Sequence, residues 1–176
     1  MEPKQNKTSL NILLADDDAD DHTFFKEALK EFSLSITLTT VADGEQLMNH
    51  LTSETNQLPH ALFLDLNMPR KNGFECLSEI KSNEKLKMLP IIIYSTTFHK
   101  KIADILYENG ANYYISKPTE ILHLKQAVQQ TLMLIAEGNI LQPKKEYFLL
   151  TVERKNSKPL FWFNNFFALP MAPKFN

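Results

Sequence analysis

A single cysteine, Cys76, rules out an internal disulfide and suits a reducing compartment. It falls in a predicted helix, where a small core residue is its ordinary role. No apolar run approaches the ~18 residues of a membrane span, and the polar start MEPKQNKTS has no apolar signal core. A cytoplasmic location with no membrane span is the expectation. Charge of one sign is also lacking: the formal net charge is -2 and 23% of residues are charged. No bulk field therefore selects nucleic acid or membrane as the main partner. The five histidines are scattered without metal-ligand spacing, and no fixed-period repeat or low-complexity tract interrupts the chain.

What is present is an alternation of apolar runs and helical stripes. Leu10 to Ala15 and Ala61 to Leu64 are short continuous apolar runs, as in strands buried on both faces. Ser35 to Val41 alternates polar and apolar residues, Ile91 to Tyr94 is β-branched, and Asn112 to Ser116 completes five predicted strands. Between them lie helical stripes, the first with Phe24, Phe25, Ala28, Leu29 and Phe32 and the last running from about Thr119 to Glu137. Strand and helix alternate five times, which predicts a doubly wound, five-stranded parallel α/β sheet.

In such a sheet every strand's carboxyl end faces one side, where ligands bind. The residues that follow the strands there are Asp16 and Asp17 (first), Asp65 (third), Ser95 (fourth) and Lys117 (fifth). Clustered carboxylates raise one another's pKa unless a cation holds them ionised. A hard divalent ion such as Mg²⁺ fits three carboxylates, and the carbonyl of Asn67 is placed to supply a neutral ligand. An aspartate in that setting can attack phosphorus, with Lys117 and Ser95 on the phosphoryl oxygens. Asp18, Asp20 and Asp21 are read as a solvated, helix-capping cluster. A calcium loop through Asp16, Asp18, Asp20 and Glu27 is disfavoured because Asp21 stands where that loop needs glycine.

With its acidic pair after strand one, DLNMP from Asp65 to Pro69, Ser95 after strand four and Lys117-Pro118 after strand five, the chain resembles the receiver domain of two-component response regulators. The likeness spans Leu10 to Glu137 and implies the flavodoxin-like (βα)5 fold. It further implies that Asp65 takes a phosphoryl group from a histidine kinase or histidine phosphotransfer protein. Asp17 would ligate Mg²⁺ directly, and Asp16 largely through water. Ser95 and Tyr114 would act as switch residues, altering the face of helix four, strand five and helix five that a downstream protein reads. The Lys117-Pro118 bond resembles the family's cis peptide, and Thr96, where smaller residues are commoner in the family, is expected to narrow access. No activity is implied beyond self-catalysed phosphotransfer and dephosphorylation.

Three other readings compete. One is a receiver-like interaction module independent of phosphorylation. A Mg²⁺-dependent aspartyl-phosphate phosphatase would place D-x-D after its first strand, whereas Asp65 follows the third and Asn67 replaces the second acid. A flavodoxin-type cofactor protein would find its phosphate repelled by Asp16 to Asp21.

Residues 1–9 are expected to form an arm, 10–140 the receiver, and 141–176 an extension too short for a DNA-reading domain. Residues 146–151 suggest a short strand or packing segment. The aromatic-rich tail with Phe161, Trp162, Phe163, Phe166 and Phe167 is expected to be flexible and weakly docking. A second copy of the chain is a further candidate partner.

Overall fold

Apolar runs flanked by turn residues and amphipathic stretches build one parallel sheet between two helical layers. The computed structural model describes residues 9–30, 35–138 and 140–150. Its strands are β1 (Ser9–Ala15), β2 (Ser35–Val41), β3 (Ala61–Leu64), β4 (Ile91–Ser95), β5 (Tyr113–Ser116) and β6 (Leu149–Leu150). The helices are α1 (Ala19–Leu29), α2 (Gly44–Thr52), α3 (Gly73–Ser82), α4 (Lys100–Glu108) and α5 (Ile121–Ala136). The strands run in the order β2-β1-β3-β4-β5-β6, all parallel to their neighbours. The first five follow the expected doubly wound pattern, and the reversal of order beside β1 opens a crevice at the strands' carboxyl ends.

Side-chain alternation along the strands splits the core in two. Leu13, Ala15, Leu62, Leu64, Ile91, Ile93 and Tyr114 pack with buried residues of α2, α3 and α4, while Leu10, Ile12, Leu14, Phe63, Ile92 and Ile115 pack with α1 and α5. Every residue of β3 and β4 is buried, as their continuous apolar runs require. Phe24 departs from the expected stripe: it is 50% exposed, whereas Phe25 is fully buried and meets the rings of Phe63 and Tyr94 edge-on.

The sheet has six strands among the described residues, not five. After α5 the chain returns along the open edge of β5, where the Tyr114 N–H donates to Phe148 O at 2.8 Å. An unpaired edge of β5 would leave such groups without partners, and β6 supplies them. Side chains fasten the same segment to its surroundings. Asn112 donates to Ile140 O (2.8 Å), Gln142 to Ala111 O (3.0 Å), and the Tyr107 hydroxyl to Pro143 O (2.9 Å). Lys145 pairs with Asp104 (3.1 Å) and Glu108 (3.4 Å) on α4. Phe148, only 3% exposed, closes the contact against Tyr107 and Tyr114. Burying that ring is worth about 1.5–3 kcal/mol. The residues beyond 150, including the aromatic tail, and residues 1–8 of the expected arm lie outside the described residues. No described helix is long and apolar enough to cross a membrane.

Candidate functional site

The backbone carries the ladder one residue past each strand, and this brings the site together. Asp16 N–H donates to Val41 O (3.0 Å), Asp65 N–H to Ala15 O (2.9 Å) and Lys117 N–H to Ser95 O (2.8 Å). Asp16, Asp65, Ser95 and Lys117 therefore lie in adjacent strand ends on one rim. Gly73 tightens the loop that follows β3: its N–H donates to Leu66 O at 3.0 Å, and a Cβ there would stand 2.2 Å from Asp65 O. Only glycine permits that approach. Asn72 then caps α3 in a reciprocal box with Glu75.

Asp16 is fully buried, Asp65 is 4% exposed, and Asp17 is exposed at the mouth. One carboxylate oxygen from each lies within 4.8 Å of the other two. Asn67 N–H donates to Asp65 Oδ2 at 2.9 Å, and Asp18 N–H to Asp16 Oδ1 at 3.1 Å, which fixes both buried carboxylates. Lys117 Nζ stands 2.7 Å from Asp16 Oδ2, 2.7 Å from Asp21 Oδ2 and 3.5 Å from Asp65 Oδ1. Its contact with Asp21 is an aligned hydrogen bond. The contact with buried Asp16 Oδ2 is equally short but less well aligned, so the ammonium holds that oxygen as an ion pair.

Burial pushes the Asp16 carboxyl above its ordinary value, and Lys117 and the Asp18 N–H only partly offset this. Burial alone would lower the Lys117 pKa, but its bonds to Asp16 and Asp21 and the charge of Asp65 hold it above the usual lysine range. One ammonium faces three carboxylates, and Asp17 adds a fourth at the mouth, so acidic groups outnumber the basic one in the pocket. The all-oxygen donor set of Asp16, Asp17 and Asp65 and that excess fit a hard divalent cation.

Ser95 Oγ is buried without an aligned hydrogen bond, the Tyr114 hydroxyl being the side-chain group that interacts with it, and Thr96 beside it is exposed. Tyr114 is fully buried, with its hydroxyl donating to Thr97 O at 2.5 Å and its ring edge-on to Phe98. No cis peptide bond occurs among the described residues, which corrects the expectation at Lys117-Pro118. The trans isomer is intrinsically favoured by about 0.5–1 kcal/mol before proline.

Two contributors stand outside the residues expected from the strand ends. Asp21 reaches Lys117, although it sits among acids that suit a helix start. Its spacing to the buried Phe25 and Ala28, four and seven residues on, is the signal that puts it on the sheet-facing side of α1. His22 Nε2 donates to Asp16 O at 2.7 Å, tying the same turn to the loop after β1.

The model of the response regulator receiver domain matches residues 12–129. The chain is 33% identical over 122 residues to response regulator Rcp1 of Synechocystis sp., covering 67% of this chain and 83% of that protein. Among solved structures, the Mn²⁺-bound form of Rcp1 is 32% identical with a TM-score of 0.64, covering 69% of this chain and 90% of that one. The phosphorylated cyanobacterial phytochrome response regulator RcpA is 30% identical with a TM-score of 0.69, covering 74% and 96%.

The chain belongs to the response regulator receiver domain family. As a receiver it serves two-component signal transduction, with a histidine kinase as the class of partner upstream.

Proposed function

We propose that Asp65 is the phosphoacceptor and that this receiver is switched by Mg²⁺-dependent transfer from the phosphohistidine of a kinase or phosphotransfer protein. The observation that carries the reading is a buried Asp65 placed 3.5 Å from the Lys117 ammonium and beside the carboxylates of Asp16 and Asp17. Asp65 attacks phosphorus: an O–P bond forms, the P–N bond to the donor imidazole breaks, and the leaving nitrogen keeps the electron pair and ends protonated. Asp16, Asp17, Asp65 and the Asn67 carbonyl would hold Mg²⁺, which supplies charge neutralisation for the phosphoryl oxygens. Lys117 takes a second phosphoryl oxygen. The Ser95 hydroxyl, without an aligned hydrogen bond at rest, donates to a third.

Ser95 and Tyr114 then form the switch, since movement of Ser95 toward the phosphoryl group favours one packing of the Tyr114 ring over another. Part of the α4 and β5 face is already covered by residues 140–150. The surface offered to a downstream protein is therefore α4 and α5 together with that segment. A second copy of the chain is a candidate partner at the same surface, and the cytoplasm, where kinase domains and Mg²⁺ meet, is the proposed location.

Incubation with acetyl phosphate and Mg²⁺ should add one phosphoryl group to the intact mass of the wild type and none to Asp65→Asn. Chelation of the metal should abolish the gain. An equal gain in both proteins, or in chelator, overturns the assignment.

A further inference from the structure

Lys117 has a partner that the proposed transfer does not use. Its ammonium offers three donors, and Asp16, Asp65 and Asp21 stand around it at 2.7, 3.5 and 2.7 Å, with the Tyr94 ring 5.0 Å away. The aligned hydrogen bond goes to Asp21, a residue that is not in the acidic trio suited to a cation. Asp21 is itself held firmly. One turn further along α1, Phe25 is locked by edge-on contacts with Phe63 and Tyr94, and the neighbouring His22 is bonded to Asp16 O. The carboxylate is thus built into the wall of the site, with 22% of its side chain exposed.

We infer that Asp21 is a positioning residue for Lys117: it shares the ammonium with Asp16 and gives it a carboxylate outside the metal-binding trio to keep when a cation takes Asp16 and Asp65. The inference rests on the divalent-cation reading of that trio. With Asp21 neutral, Asp16 and Asp65 are the carboxylates left to the ammonium, and an incoming cation must take both from it. With Asp21 charged, its aligned hydrogen bond holds the ammonium while a cation takes Asp16 Oδ2, which stands 2.7 Å from the ammonium at rest. Lys117 also remains close to Asp65, from which it reaches the phosphoryl group by a small movement. Such pre-organisation of a charged side chain by a supporting residue is what a site needs to react without rearrangement.

The test is calorimetric titration of Mg²⁺ into the full chain and its variants. Asp21→Asn should weaken Mg²⁺ by on the order of tenfold, whereas Asp20→Asn, which removes an exposed charge one residue away, should weaken it less than about twofold. In a Lys117→Met background, Asp21→Asn should have no more effect than Asp20→Asn, because the competing ammonium is gone. An Asp21 effect equal to that of Asp20, or one that persists undiminished without Lys117, overturns the positioning role. Absence of Mg²⁺ binding by the folded wild type overturns the cation reading and this inference together.

Discussion

The main-chain N–H of Tyr114 donates to the carbonyl of Phe148, so the residue proposed to switch is hydrogen-bonded to the segment that follows the receiver's last helix. On its other side the Tyr114 hydroxyl is bonded to Thr97 O, and Phe98 and Phe148 meet its ring edge-on. Phe148→Ala should undock this edge. The predicted loss is about 3 kcal/mol locally, read as roughly hundredfold faster exchange of the Tyr114 amide, while amides of β3 keep their protection. Unchanged exchange at Tyr114 would mean that residues 140–150 add nothing to the edge.

Ser95 gives a prediction with opposite signs for stability and activity. Its hydroxyl is buried without an aligned hydrogen bond, although it interacts with the Tyr114 hydroxyl, and full loss of a partner costs about 1–3 kcal/mol. Ser95→Ala should therefore raise the unfolding free energy by about 1 kcal/mol. The same change should slow loading of Asp65 by roughly tenfold, through loss of a charge-assisted hydrogen bond. Urea melts and initial phosphorylation rates measure the two effects; a destabilised variant would show that Ser95 has a resting partner.

Lys81 sets a pH dependence away from the site. Its ammonium donates to Lys87 O (3.1 Å) and Leu89 O (2.8 Å), and burial lowers its pKa from 10.5 to about 8. Below about pH 8 the lysine is charged in both folded and unfolded chains, and the burial cost is fully present. From there to pH 10.5 the folded chain gives up the proton first. The unfolded chain then binds more protons, and stability rises with pH. The stability of wild type relative to Lys81→Met should climb across that window, and a flat difference would contradict it.

Much of this arrangement is visible in the sequence because local pattern and global fold agree. Ala61 to Leu64 is apolar throughout because both faces of β3 are covered, and Asp65 follows at a rim that strand order alone identifies. Spacing does not report what non-local packing decides. Asp21 and Lys117 are 96 residues apart, and an acid at a helix start has a sufficient local explanation, one that Asp18 does fulfil by capping α1. The segment 146–151 suggests a strand or a packing segment, yet nothing local tells which edge it joins. That is fixed by the β5 N–H groups and by the ring pocket that Tyr107 and Tyr114 form. Phe24 and Phe25 are equivalent in composition, and only the rotation of α1 on the sheet buries one and exposes the other.

The most direct measurement of the central claim is chemical mapping of the phosphorylated residue. The protein is loaded from a phosphohistidine donor in Mg²⁺, reduced with borohydride and sequenced by mass spectrometry, since reduction of an aspartyl phosphate leaves homoserine at the modified position. Homoserine is expected at position 65, dependent on Mg²⁺ and absent without donor. Homoserine at another aspartate, or phosphate retained on a residue other than Asp65, would contradict it.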